Sequence, residues 1–149
     1  MVSVRGLNFI TSLLIASNTM AESLDRQFIN PASGYTQVVA VSANGVKTLY
    51  LSGQVSKGNT IESQLRGAFT AVQQQLADAG AELGHVVRLN TYIVNYDPSH
   101  LATFKRVRNE FFEAKNRPAS TLVGVAALAL PEYLVEIEAT AILSKSSNE

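Results

Sequence analysis

The sequence contains no cysteine and no tryptophan, and only two histidines. Without cysteine there is no disulfide, no thiol nucleophile and no thiolate metal site. The same absence fits either redox compartment. The two histidines, His85 and His100, are well separated in the chain, which argues against a histidine-built metal site. Charge is also scarce. Charged residues make up 16% of the chain, 12 basic residues balance 12 acidic ones, and no long run of one sign occurs. A neutral chain lacks the basic footprint that nucleic-acid binding requires. Long apolar runs are missing too. The N-terminal stretch LNFITSLLIA is interrupted by Asn8, Thr11 and Ser12, and is short against the ~20 residues of a membrane span. No GxGxxG or GxxxxGK phosphate loop, no HExxH and no GxSxG elbow is present.

What is there is a patterned chain of 149 residues with 46% hydrophobic content. That length favours one domain with a sizeable core. Residues 1–21 differ from the rest. Arg5, the short apolar run and the small residues of NTMAES fit an export signal cleaved after Ala21, or a tail behind an upstream start. Cleavage would make the protein periplasmic or secreted; otherwise it is expected to be cytoplasmic. The patterned domain is expected over 30–145.

Strand and helix signals alternate along that domain. YTQVVAV (35–41) and VKTLYLSGQV (46–55) flank Asn44-Gly45, a hairpin turn signal. Asn59 with Glu62 has capping-box spacing. Ile61, Leu65, Ala68, Val72 and Leu76 then mark one helix face, with Gly80 as its stop. VVRLNTYIV (86–94) reads as a strand. Asp97-Pro98 opens a second helix whose face is Leu101, Phe104, Val107 and Phe111, with Phe112 at its edge. Lys105 and Arg108 lie on the border of that face, where their stems cover the core edge or their charges serve a site. STLVGVAAL gives the next strand and YLVEIEATAIL (133–143) the last. On the last strand Val135, Ile137, Ala139 and Ala141 face one way, and Glu136, Glu138, Thr140 and Ile142 the other.

The order β-β-α-β-α-β-β predicts an α+β fold, with two helices on one face of a single mixed sheet. The other sheet face is half apolar and no helix remains to cover it, so oligomerisation through it is expected. Glu136 and Glu138 are a candidate acid/base pair or two solvated strand residues; Arg88 is a candidate partner for them.

Six segments occur in a familiar order: GYTQVV (34–39), LYLSGQV (49–55), LADAGAEL (76–83), NEFF (109–112), RPASTLVGVAAL (117–128) and LVEIEATAI (134–142). Together they resemble the RidA (YjgF-like) family over nearly all of the chain from about residue 30. The resemblance implies a chorismate-mutase-like two-layer fold, a homotrimer and ligand clefts between subunits. It implies hydrolysis of small reactive enamines and imines such as 2-aminoacrylate, with no metal or organic cofactor. It places the family's tyrosine on Tyr35, its SGQ serine on Ser52 and its last-strand glutamate on Glu136, as catalytic candidates. An asparagine of well-studied deaminases falls on Lys105. The carboxylate-binding arginine that follows Pro-Ala falls on Ser120, so this chain resembles a subgroup lacking it. Serine offers one neutral donor where arginine offers a charged fork. Lys105, Arg108 and Arg117 are candidate substitutes for the lost charge. The expected function is a small-metabolite deaminase with an atypical substrate. The alternative is a ligand-binding or interaction protein on the same fold. Neither nucleic acid nor a membrane span is expected.

Overall fold

The computed structural model describes residues 23–144, so the signal-or-tail reading of 1–21 lies outside the described residues. Strands β1 (Asp25–Ala32), β2 (Tyr35–Ala43) and β3 (Val46–Gln54) come first, followed by helix α1 (Ile61–Asp78) and strand β4 (Val86–Val94). Helix α2 (Ser99–Phe111), β5 (Ala119–Val125) and β6 (Val135–Ser144) complete the described residues. They form one six-stranded mixed sheet in the order β1-β2-β3-β6-β4-β5. Only the β4–β5 pair is parallel, because α2 carries the chain back between them.

The sheet has one strand more than the expected order. β1, DRQFINPA, pairs antiparallel with β2 through most of its length. It is an edge strand, almost wholly exposed, and contains Pro31. Such a strand carries no buried alternation, so its pairing leaves little trace in the residue pattern. Asn30, with φ of 53°, interrupts the ladder and donates to Gln75 Oε1 at 2.9 Å and Asp78 Oδ2 at 2.7 Å on α1.

The Asn44-Gly45 hairpin is as expected, both residues having positive φ (51° and 72°). The α1 cap is shifted by one residue. Thr60, not Asn59, is the N-cap: its Oγ1 accepts from Ser63 N at 3.1 Å, and Ser63 Oγ accepts from Thr60 N at 3.2 Å. Thr-x-x-Ser offers the same reciprocal bonds one position on, and Glu62 is drawn away to Arg66 and Arg106. At the start of α2 the N-cap is Pro98 rather than Asp97, one residue later than expected, although Asp97 Oδ1 still accepts from Ser99 N at 2.8 Å.

Val38, Leu49, Leu65, Phe69, Leu76, Leu89, Ile93, Val135 and Ile137 form the centre of the core, each fully buried. Phe69 of α1 holds α2 in place, with ring centroids 5.0 Å from Phe111, 6.0 Å from Phe112 and 6.5 Å from Phe104. The buried face of α2 is narrower than its spacing implies: Leu101 is exposed, while Phe112 joins Phe104 and Val107 in the core. On β6 the alternation holds, with Val135, Ile137, Ala139 and Ala141 buried. The opposite sheet face carries exposed Phe28, Tyr50, Val123 and Ile142, and no described element covers it.

Candidate functional site

The site grows from an irregularity in β3. Leu51 pairs with Ala139, but the next pair is Gln54 with Ile137, so β3 holds one residue more than β6 at Ser52-Gly53. Such a bulge bends the strand and frees its peptide groups from the ladder. Glu136 of β6 fills the space beside it. A Cβ built on Gly53 would lie 2.7 Å from Glu136 Cγ and nearer still to the carboxyl group. Only glycine at 53 lets the glutamate lie across the bulge. The variant Gly53→Ala is therefore expected to push the carboxyl group outward into water and bring its pKa down toward the ordinary glutamate value. Carboxylate titration by NMR checks this; an unmoved pKa would refute it.

The surroundings of the two glutamates set them apart. Glu138 Oε2 accepts from Tyr92 Oη at 3.1 Å and Asn90 Nδ2 at 3.2 Å. These neighbours, not Arg88, partner Glu138; Arg88 sits further along β4, opposite Thr140. No hydrogen-bond donor reaches Glu136 among the described residues. Burial raises its pKa above the usual glutamate value, and the nearby Glu138 charge raises it further. A partly dehydrated carboxyl group with free lone pairs is suited to take up a proton.

Three candidates converge on one cleft of about 480 Å³, lined by Tyr35, Ser52, Gly53, Leu130, Tyr133 and Glu136 among others. Tyr35 is half exposed, and its hydroxyl accepts from Gln37 Nε2 at 3.2 Å. Gln37 Oε1 accepts in turn from Gln54 Nε2 at 2.8 Å. The phenolic proton is thus left for a ligand. Ser52 Oγ donates to Thr36 O at 2.7 Å, so its proton is committed to joining β2 and β3, and its lone pairs are what it can offer the cleft. Gly53, Leu130 and Tyr133 were absent from the sequence reading. The SGQ segment already pointed to Gly53; nothing marked Leu130 or Tyr133, which come from the loop before β6.

The other candidates stand elsewhere. Ser120 is exposed on the edge strand β5, in register with buried Leu89, and so belongs to the helix side of the sheet. Glu136 pairs with Tyr92, on the opposite side. Lys105, Arg108 and Arg117 do not line the cleft either. Within one chain, therefore, Ser120 and Glu136 lie on opposite faces of the sheet. A larger hollow of about 560 Å³ between the C-terminal ends of α1 and α2 contains no phenol or hydroxyl beside a carboxylate. No cluster of metal-ligating side chains occurs among the described residues, and no described helix is long and apolar enough to cross a membrane.

Comparison with known proteins identifies the family and the fold. The family model described as endoribonuclease L-PSP matches residues 26–143. A 2-iminobutanoate/2-iminopropanoate deaminase of Dermatophagoides farinae is 31% identical over 121 residues, covering 76% of this chain and 88% of that protein. Among solved structures, a YjgF-family member from Mycobacterium tuberculosis is 32% identical with a TM-score of 0.67, covering 80% of this chain and all of that one. A YjgF-family protein from Neisseria meningitidis is 28% identical with a TM-score of 0.68, covering 82% of this chain and 98% of its own.

Proposed function

The chain belongs to the YjgF/RidA family, and on that premise we propose that it is a cofactor-independent hydrolase of small enamines and imines, working as a homotrimer. The observation that carries this reading is Glu136: a carboxyl group without a hydrogen-bond donor, its pKa raised by burial, in a cleft with the Tyr35 hydroxyl. An imine is hydrolysed when water adds to its carbon. The new C–O bond forms as the C=N electron pair moves to nitrogen, which takes a proton. The resulting carbinolamine then loses its nitrogen as ammonia and leaves a carbonyl compound. An enamine enters the same route after protonation at carbon. Glu136 takes the proton of the attacking water and returns it to the leaving nitrogen. Tyr35 donates to the substrate or to the water. No step needs a redox group.

Ser120 favours a second reading, a ligand-binding protein without turnover, because the arginine of the deaminases is absent there. Generating 2-aminoacrylate or 2-iminobutanoate in a coupled assay separates the two. The enzyme is expected to speed ketoacid formation at least tenfold over buffer; no acceleration would leave only the binding reading.

The trimer is supported by the uncovered sheet face bearing Phe28, Tyr50, Val123 and Ile142. A trimer in which a neighbouring chain brings Lys105, Arg108 or Arg117 to the Glu136 cleft would account for their absence from its lining. Sedimentation is expected to give about three times the 16.0 kDa chain mass. A stable monomer at micromolar concentration would defeat the intersubunit site.

A further inference from the structure

Two side chains that take no part in the reaction above form a line of hydrogen bonds ending in the cleft. Gln54, the last residue of β3, is buried. Its Nε2 donates to the carbonyl oxygen of Ser52 at 2.9 Å and to Gln37 Oε1 at 2.8 Å. Gln37 Nε2 donates to Tyr35 Oη at 3.2 Å. Gln37 and Tyr35 are two residues apart on β2 and so share a face of the sheet. A side-chain amide can turn over, because its oxygen and nitrogen ends are alike in size. A backbone carbonyl only accepts. Ser52 O therefore dictates that the nitrogen of Gln54 faces it, since the reverse would set two oxygens against each other. That choice turns the Gln37 oxygen toward Gln54 and the Gln37 nitrogen toward Tyr35. The Tyr35 oxygen receives a proton from Gln37, so its own proton points elsewhere. The anchor lies in the bulge, where Ser52 falls outside the paired positions of both β2 and β6. The neighbouring side chains have the opposite sense. Ser52 Oγ donates its proton to Thr36 O at 2.7 Å and offers lone pairs to the cleft, as the Glu136 carboxylate does.

We propose that Gln54 and Gln37 are positioning residues that hold Tyr35 as a hydrogen-bond donor toward the lone pair of a bound imine nitrogen or carbonyl oxygen, leaving Ser52 and Glu136 to accept from the attacking water. The identity of the ligand rests on the function proposed above; the direction of the relay does not. The Tyr35 donor then meets the imine nitrogen as the C=N electron pair arrives there, where charge develops. Tyr35 keeps its proton throughout, and Glu136 carries the one that moves.

Raman spectroscopy of the tyrosine doublet reads the relay without a ligand. The ratio of its two intensities differs between a phenol that accepts and one that donates to a strong acceptor. Subtracting the spectrum of Tyr35→Phe isolates the Tyr35 signal. In the parent chain an accepting phenol is expected. Gln37→Glu keeps the side chain's size and its bond from Gln54, but a carboxylate only accepts, so Tyr35 is expected to become a strong donor to it. In the imine assay Gln37→Glu is expected to lower kcat/KM by about tenfold, the worth of one hydrogen bond. The double variant with Tyr35→Phe is expected to fall no lower than Tyr35→Phe alone. An unchanged doublet in Gln37→Glu, a strong-donor signature already in the parent, or a Gln37→Glu loss of equal size with Tyr35 and with Phe at that position would overturn the proposal. Gln54→Glu should turn the Gln37 amide over and give the same doublet change. Gln54 is buried, so Gln37→Glu is the deciding variant if Gln54→Glu fails to fold. The two failures are distinguishable. The expected doublet change in a chain without turnover removes the hydrolase reading and keeps the relay. Turnover that falls alike in both backgrounds removes the relay and keeps the hydrolase.

Discussion

Glu136→Gln is expected to lower kcat/KM for imine hydrolysis by a factor on the order of 10²–10⁴, the usual contribution of a positioned acid or base. Glutamine keeps the shape of the side chain and removes its capacity to carry a proton. The pH profile gives a second check. The base must be ionised, so activity is expected to rise as pH rises through the Glu136 pKa. Burial and the Glu138 charge place that pKa above the ordinary glutamate value, and the acid limb should lie there. Glu138→Gln removes the second cause while leaving an acceptor for Tyr92 and Asn90, and should move the limb to lower pH. Stability has the opposite sign. A carboxyl group whose pKa is raised on folding holds its proton more tightly in the folded state. Its contribution is fully present below the unfolded value and is lost as pH rises through the folded one. At neutral pH Glu136→Gln is therefore expected to melt at or above the parent temperature. A variant that keeps kcat/KM within threefold of the parent would remove Glu136 from the reaction.

Gln64→Leu is expected to cost stability on the order of 3–5 kcal/mol, because buried polar groups left without partners cost about 1–3 kcal/mol each. Gln64 is fully buried in α1. Its Nε2 donates to Gly58 O at 2.9 Å and Glu132 O at 2.8 Å, and its Oε1 accepts from Leu134 N at 2.7 Å. Leucine has similar volume but leaves two carbonyls and one N–H facing an apolar side chain. The loop so loosened supplies Leu130 and Tyr133 to the cleft and leads directly into Glu136. A thermal melt reads the loss as a fall of roughly 10 °C or more. A shift of a degree or two would mean that these bonds are replaced by water or by local rearrangement.

Much of this was legible in the residue order because it depends on short-range rules. The alternation along β6, the Asn44-Gly45 turn, the apolar stripe of α1 and the Asp97 bond to Ser99 each require only neighbours within a few positions. The exceptions have local causes too. The α1 cap moved one residue because Asn59 and Thr60 both offer a side-chain oxygen, and the competition was settled by Glu62 turning to Arg66 and Arg106. β1 leaves little trace in the residue pattern because a polar edge strand is held by ladder hydrogen bonds rather than by buried side chains.

The sequence by itself determined the family, the α+β order of the elements from β2 onward and the presence of Tyr35, Ser52 and Glu136 in recognisable segments. It also established that serine stands at position 120. Only the tertiary structure decided which of these residues share a space. The bulge at Ser52-Gly53, the missing donor at Glu136 and the unpartnered Nε of Arg108 all arise between segments distant in the chain. Hydrophobic periodicity records which face of an element is buried. It does not record which carboxylate loses its water, or which arginine is left without a counterion, because those depend on what the rest of the fold packs against them.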